Sequence, residues 1–311
     1  KLQDFQKKLA TLSFLDPACG SGNFLTETYI CLRRLENDVL RILQQNQIVL
    51  GDELISPIQV SISQFYGIEI NDFAVTVAKT ALWIAESQMM KETESIVLMH
   101  LDFLPLKTNA NITEDNALRI DWENIVPKNE LSYIMGNPPF IGYSLQTKEQ
   151  KEDILSIYVD ENGKPYKTAG KVDYVAGWYF KAAQLMQNTV IQTAFVSTNS
   201  ITQGEQVAAV WKPLYERFHI HIDFAHRTFI WDSEASQKAH VHCVIVGFST
   251  KLNTKERVLY SSDRFQIVDN INAYLVNAPD IFVESNKKPI CDVPEMVKGS
   301  SPVDGGNFFL D

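Results

Sequence analysis

The chain has 311 residues, 45% of them hydrophobic, which is enough for one large α/β domain or two ordinary ones and excludes disorder as the default. Its longest apolar runs are strand-sized, well short of the ~20 residues of a membrane span, and four scattered cysteines without a CxxC pair exclude a zinc ribbon and a disulfide framework and fit a reducing cytoplasm. The formal net charge of −10 argues against nucleic acid, because phosphate contacts come mainly from Lys and Arg, although an acidic domain can carry a local basic face.

Residues 1 to 15 lack the segments of a signal peptide, and a chain opening on Lys1 is expected to be a piece of something longer. Residues 12 to 18 read as a short buried strand, 19 to 23 as a tight Gly turn, and 24 to 45 as a long helix with apolar residues at helical spacing. A second strand is expected over 64 to 70. Asn71 or Asp72 can cap the next helix, on which Ala74, Val77, Ala78, Ala81, Leu82 and Ala85 share one face. Further strands are expected at 96 to 101, 133 to 136 and 193 to 197, with a helix at 174 to 187. Such alternation implies a parallel sheet covered on both faces. Residues 220 to 225 and 240 to 248 look instead like a terminal antiparallel pair. The polar stretch 141 to 170 reads as an inserted lid or loop. The alternation fades after Phe248, and residues 299 to 306 read as a linker. The expected division is therefore a catalytic domain over 1 to 250 and a connecting region over 251 to 311.

The strongest local signal is Asp16-Pro17-Ala18-Cys19-Gly20-Ser21-Gly22-Asn23-Phe24 at the end of the first strand. Gly20 and Gly22 let the backbone turn sharply toward a ligand, and the helix near Phe24 aims its free amides at it. Glu69 ends the second strand, where a carboxylate can accept hydrogen bonds from ribose hydroxyls. Asp102, after the strand expected at 96 to 101, can accept from an adenine amino group while Phe103 packs on the ring. Each acid alone also fits a helix or turn cap. Three acids after three successive strands, at the edge where doubly wound folds bind ligands, favour a nucleotide-like cofactor.

Asn137-Pro138-Pro139-Phe140 follows the strand at 133 to 136. The prolines fix the backbone and remove two amide donors. An exocyclic amine then meets two acceptors, the Asn137 side-chain oxygen and the Pro138 carbonyl, with Phe140 as a stacking face. An ordinary Pro-Pro turn is the bland alternative, and the position after the fourth expected strand speaks against it.

With these motifs the sequence resembles the amino-methyltransferase group of DNA methyltransferases, with the glycine motif before Asn-Pro-Pro-Phe as in the γ-type order. The likeness runs from about Phe14 to Phe248 and takes in Asp173-Tyr174, residues 195 to 200, and Phe229 with Trp231. It is similar in particular to the methyltransferase region of type IIG and IIL single-chain restriction-modification enzymes. The resemblance implies a doubly wound, mostly parallel α/β sheet of the class I S-adenosylmethionine-dependent, Rossmann-like type. It also implies methyl transfer from S-adenosylmethionine to N6 of an adenine flipped out of double-stranded DNA. By the same resemblance Asp16, Ala18, Gly20, Gly22, Asn23 and Phe24 hold the methionine end of the cofactor. Glu69 and Ile70 hold the ribose, and Asp102 and Phe103 the adenine. Asn137, which also borders the cofactor, Pro138, Pro139 and Phe140 handle the target base, and Phe229 or Trp231 closes its other face. Nuclease and target-recognition domains of the same chain are the implied partners.

N4-cytosine, RNA or a protein glutamine remain alternative acceptors, and a non-catalytic, cofactor-binding scaffold is the alternative role. His219, His221, His226, His240 and His242 lack a carboxylate or Cys at a familiar metal spacing, so no metal is expected.

Overall fold

The computed structural model describes residues 1–45, 57–98, 100–101, 110–231, 241–250, 256–262, 264–284 and 291–293. A nine-stranded sheet forms its middle layer, in the order β3-β2-β1-β4-β5-β7-β6-β8-β9. Strands β1 (Phe14–Asp16), β2 (Phe65–Glu69), β3 (Asn111–Glu114), β4 (Tyr133–Gly136) and β5 (Gln192–Thr198) run parallel. Strand β7 (Val241–Ser249) is antiparallel between β5 and β6 (His221–Trp231). The strand order reverses between β1 and β4, which opens a crevice at their carboxyl ends, where such sheets bind ligands.

Side-chain alternation along the short central strands divides the core in two. Leu15, Ile68 and Ile134 point to the face covered by α4 (Lys148–Ile157), α5 (Ala176–Leu185) and α7 (Lys212–Phe218), while Phe14 and Phe65 point to the face of α2 (Asn23–Gln45) and α3 (Asp72–Val97). Phe14 stacks on Phe65 and on Tyr133, its partners in register, with ring centroids 5.1 and 5.3 Å apart. Such cross-strand pairs set register. Between β5 and α7 the chain passes through a short α turn, α6 (Gly204–Gln206), and a π-helical turn, Val207–Trp211.

Helix α3 begins as expected, with the Asn71 side chain accepting from Ala74 N at 2.9 Å. Its end differs. The strand expected at 96 to 101 is not formed, because Ile96 and Val97 complete α3 and Leu98 turns into the left-handed region at φ 53°. A helix this long absorbs two β-branched residues in its last turn, since propagation costs far less than nucleation. The third strand in the sheet is Asn111–Glu114.

The stretch expected as a polar lid is packed onto the body. Thr147 and Gln150 form a capping box that starts α4. Ile154 and Tyr158 are buried, and the Tyr158 hydroxyl donates to the carbonyls of Ala209 and Val210. The sheet also continues past residue 250, where β8 (Arg257–Ser261) runs parallel to β6 and β9 (Arg264–Val268) returns antiparallel. No helix among the described residues is long and apolar enough to cross a membrane.

Candidate active site

The carboxyl ends of β1, β2, β3 and β4 lie side by side at one edge of the sheet. Asp16, at the end of β1, is 1% exposed, and its Oδ1 accepts from Ala18 N at 3.0 Å. Trp178 of α5 anchors the same turn by donating to the Pro17 carbonyl at 3.0 Å. The chain then turns through Gly20 (φ 53°) and Gly22 (φ 81°), a left-handed backbone that side chains disfavour. At Gly22 an added Cβ would also lie 3.0 Å from Ala78 Cβ, so this turn sits directly on α3. Cys19 packs against Gly67 of β2, and burial pushes its thiol far up, which makes it an inert filler.

Glu69 organises the next shelf. Its Oε2 accepts from Gly20 N at 2.9 Å, and its Oε1 accepts from Ile70 N and Asn71 N at 3.0 Å each. The carboxylate thus binds the glycine turn to the start of α3 and keeps lone-pair capacity on Oε2 for a ligand hydroxyl. Ile70 and Phe24 are exposed along this crevice, as is Asn23 at the start of α2.

Burial and the nearby Glu69 charge outweigh the Ala18 amide and push the Asp16 carboxyl up to about 7. Its space is tightly bounded as well. A Cβ at Gly136, the last residue of β4, would lie 2.5 Å from Asp16 Oδ1. A glycine is therefore required for the carboxyl to sit under β4. A ligand cation placed here would favour the ionised form.

Asp102 and Phe103 lie outside the described residues. The acid that follows β3 in the structure is Asp115, exposed, with its backbone N donating to Glu69 O at 2.9 Å. The adjoining loop is tied to α4 by Asn116 Nδ2 and Arg119 Nε, which donate to Asp153 at 3.0 and 2.6 Å.

Just after β4, Asn137 carries an Oδ1 that is buried and, among the described residues, has no hydrogen-bond partner. Pro138 is buried, Pro139 exposed and Phe140 half-buried. An unpaired buried acceptor costs ~1 to 3 kcal/mol unless a donor fills it. Phe229 reaches the same sheet edge by register, since Thr198 of β5 and Phe229 of β6 both pair with Cys243. Its ring meets His226 and Trp231, at 5.1 and 6.4 Å between centroids. Trp231 is 38% exposed. Phe229 and Trp231 therefore lie at the same edge of the sheet as the end of β5, two strands away from it. Among the described residues no group of three His, Cys, Asp or Glu side chains is placed to hold a metal ion.

A central parallel sheet with a reversed antiparallel β7, a glycine turn after β1 and acids at successive strand ends defines the class I S-adenosylmethionine-dependent methyltransferase fold. Comparison with known proteins narrows the class. Residues 1–261 match the family model described as the MmeI DNA-methyltransferase domain, and the chain belongs to that family. It is 43% identical to DNA methyltransferase A of Bacillus subtilis (strain 168), over all of this chain and 34% of that protein. A putative type II restriction enzyme and methyltransferase of Methanocaldococcus jannaschii is 31% identical over 44% of this chain and 11% of its own length. Among solved structures, the type IIL restriction-modification enzyme MmeI in complex with DNA superposes with a TM-score of 0.90 at 44% identity, over 99% of this chain and 41% of that one. The chain thus spans about a third of the Bacillus relative.

Proposed function

We propose that this domain transfers a methyl group from S-adenosylmethionine to N6 of an adenine flipped out of double-stranded DNA, within a restriction-modification protein. The observation that carries the proposal is the buried Oδ1 of Asn137, which has no partner among the described residues. An exocyclic amine supplies the missing donor.

The cofactor crevice fits the group. Asp16 is buried, raised to about 7 and shielded by Gly136, which suits a ligand carrying ammonium and sulfonium charges. Ala18, Gly20, Gly22, Asn23 and Phe24 would border its methionine end, Glu69 and Ile70 its ribose, and Asp102 with Phe103 its adenine. When bound, S-adenosylmethionine supplies an electrophilic methyl on sulfur. Asn137 Oδ1 and the Pro138 carbonyl accept from the target amine and draw its lone pair out of the ring plane, a gain made by positioning. Phe140 stacks on the extruded base, and Phe229 or Trp231 closes the opposite side. The amine proton is lost after transfer, so no strong base is needed. DNA contact is supported by the DNA complex of MmeI, while nuclease and target-recognition domains would lie elsewhere in the longer chain. Four unpaired thiols suit the cytoplasm.

Incubating the full-length protein with duplex DNA and methyl-labelled cofactor, then digesting to nucleosides, tests the proposal. Label is expected in N6-methyl-2′-deoxyadenosine. Label in N4-methylcytosine, or in protein, would refute the assigned acceptor.

A further inference from the structure

The segment after the target-base turn is held by a side chain that the chemistry above does not use. Asp173, three residues before α5, is 7% exposed, and among the described residues no Lys or Arg pairs with it. Burying a carboxylate without a cation is costly unless its oxygens are filled by donors. Here they are filled from two directions. Oδ1 accepts from Tyr143 N at 3.0 Å, and Oδ2 accepts from Ser200 Oγ at 2.6 Å.

Neighbouring bonds run the same way. Tyr174 N donates to Ile141 O at 2.9 Å, and Gln146 Nε2 donates to Val172 O at 2.9 Å. The strip 141 to 146, which begins one residue after Phe140, is thus laced to 172 to 174. Ser200 carries the connection onward through its bond with Thr198 Oγ1, 2.8 Å away, at the end of β5. Upstream of the turn, Gly136 is in register with Phe195 of β5. Both ends of the Asn137 to Phe140 turn are therefore referenced to one strand, by sheet pairing on one side and by Asp173 on the other.

We propose that Asp173 is a positioning residue for the target base, fixing the downstream end of the Asn137 to Phe140 turn so that the Asn137 and Pro138 oxygens stay aimed at the amine. This rests on the base-handling role given to that turn. Asp173 touches neither base nor cofactor in this scheme. Its loss should lower the transfer step and spare the cofactor crevice, which is built by Asp16, Glu69 and the glycine turn on other strands.

The test uses the full-length protein, duplex DNA and labelled S-adenosylmethionine. For Asp173→Ala the single-turnover rate is expected to fall ~10- to 100-fold, the scale of a small misplacement of reacting groups, while S-adenosylhomocysteine affinity by calorimetry is unchanged. Asp173→Asn keeps an acceptor for Tyr143 N and should recover most of the rate. Ser200→Ala removes one of the two ties and should fall between them, and with Asp173→Asn it decides the matter if Asp173→Ala does not fold. A wild-type rate in Asp173→Ala overturns the proposal. So does a parallel loss of cofactor affinity and rate that Asp173→Asn fails to rescue, which is the mark of a purely structural residue. If the wild-type protein transfers no methyl to DNA, the base-handling reading fails and takes this proposal with it, whereas an active wild type with an unaffected Asp173→Ala removes only the role of Asp173.

Discussion

Asp16→Asn should stabilise the free protein while disabling its cofactor site, and the gain should depend on pH. Burial raises the Asp16 carboxyl from its ordinary 3.8 to about 7 in the folded chain. Between those values the native state binds more protons than the unfolded state, so the group's contribution falls as pH rises through this window and is flat above it. At about 1.4 kcal/mol per tenfold change in proton affinity, the penalty is about 4 kcal/mol at pH 8 and about 2 kcal/mol at pH 5. Asparagine keeps an acceptor for Ala18 N and carries no charge, so most of the penalty disappears. At about 2 °C per kcal/mol for a chain of this size, Tm should rise by about 5 to 8 °C at pH 8 and by about half as much at pH 5. Thermal unfolding of wild type and variant at both pH values checks this. A Tm difference that is absent, or the same at pH 5 and pH 8, would refute the reasoning. The same group should release about half a proton when a cationic cofactor binds at pH 7, visible as buffer-dependent binding enthalpy.

Gly136→Ala places a Cβ 2.5 Å from Asp16 Oδ1, and overpacking should cost ~1 to 3 kcal/mol of stability along with cofactor affinity; an unchanged Tm and Kd would show that β4 does not confine Asp16. Glu69→Ala removes the acceptor of three backbone amides and a charge-assisted site for ribose hydroxyls, so calorimetry should find cofactor binding weaker by ~10-fold or more. Phe140→Ala should weaken capture of the extruded base by ~1 to 3 kcal/mol, seen as loss of 2-aminopurine fluorescence at the target position and not as loss of cofactor affinity.

The parts of this fold that the sequence announces are those where local chemistry and tertiary context agree. Gly20 and Gly22 carry left-handed backbone, Asn71 caps α3, and the expected strand at 133 to 136 is β4. The misreadings come from short windows. Ile96 and Val97 have the composition of a strand, yet they close a 26-residue helix, and the true third strand, Asn111–Glu114, is polar on its exposed side. Within 141 to 170 the sequence does not announce α4, because only a few residues, such as Ile154 and Tyr158, are buried, too sparse a stripe among the lysines and glutamines. Strands β8 and β9 carry little sequence signal, because β8 buries only Leu259 and β9 is exposed at every residue before Val268, so neither shows the alternation by which a half-buried strand is read. The bridge from Asp173 to Tyr143 and Ser200 joins residues far apart in sequence, and no local pattern encodes it.

The central claim is that Asn137 Oδ1 accepts the hydrogen of the target amine as the methyl group is transferred. Single-turnover transfer by full-length Asn137→Ala, on duplex DNA with labelled cofactor, tests it most directly. The rate should fall ~100-fold or more, by analogy with losing one preorganised group that bonds to developing charge, with cofactor affinity and Tm nearly unchanged. A variant that methylates at the wild-type rate would contradict the account.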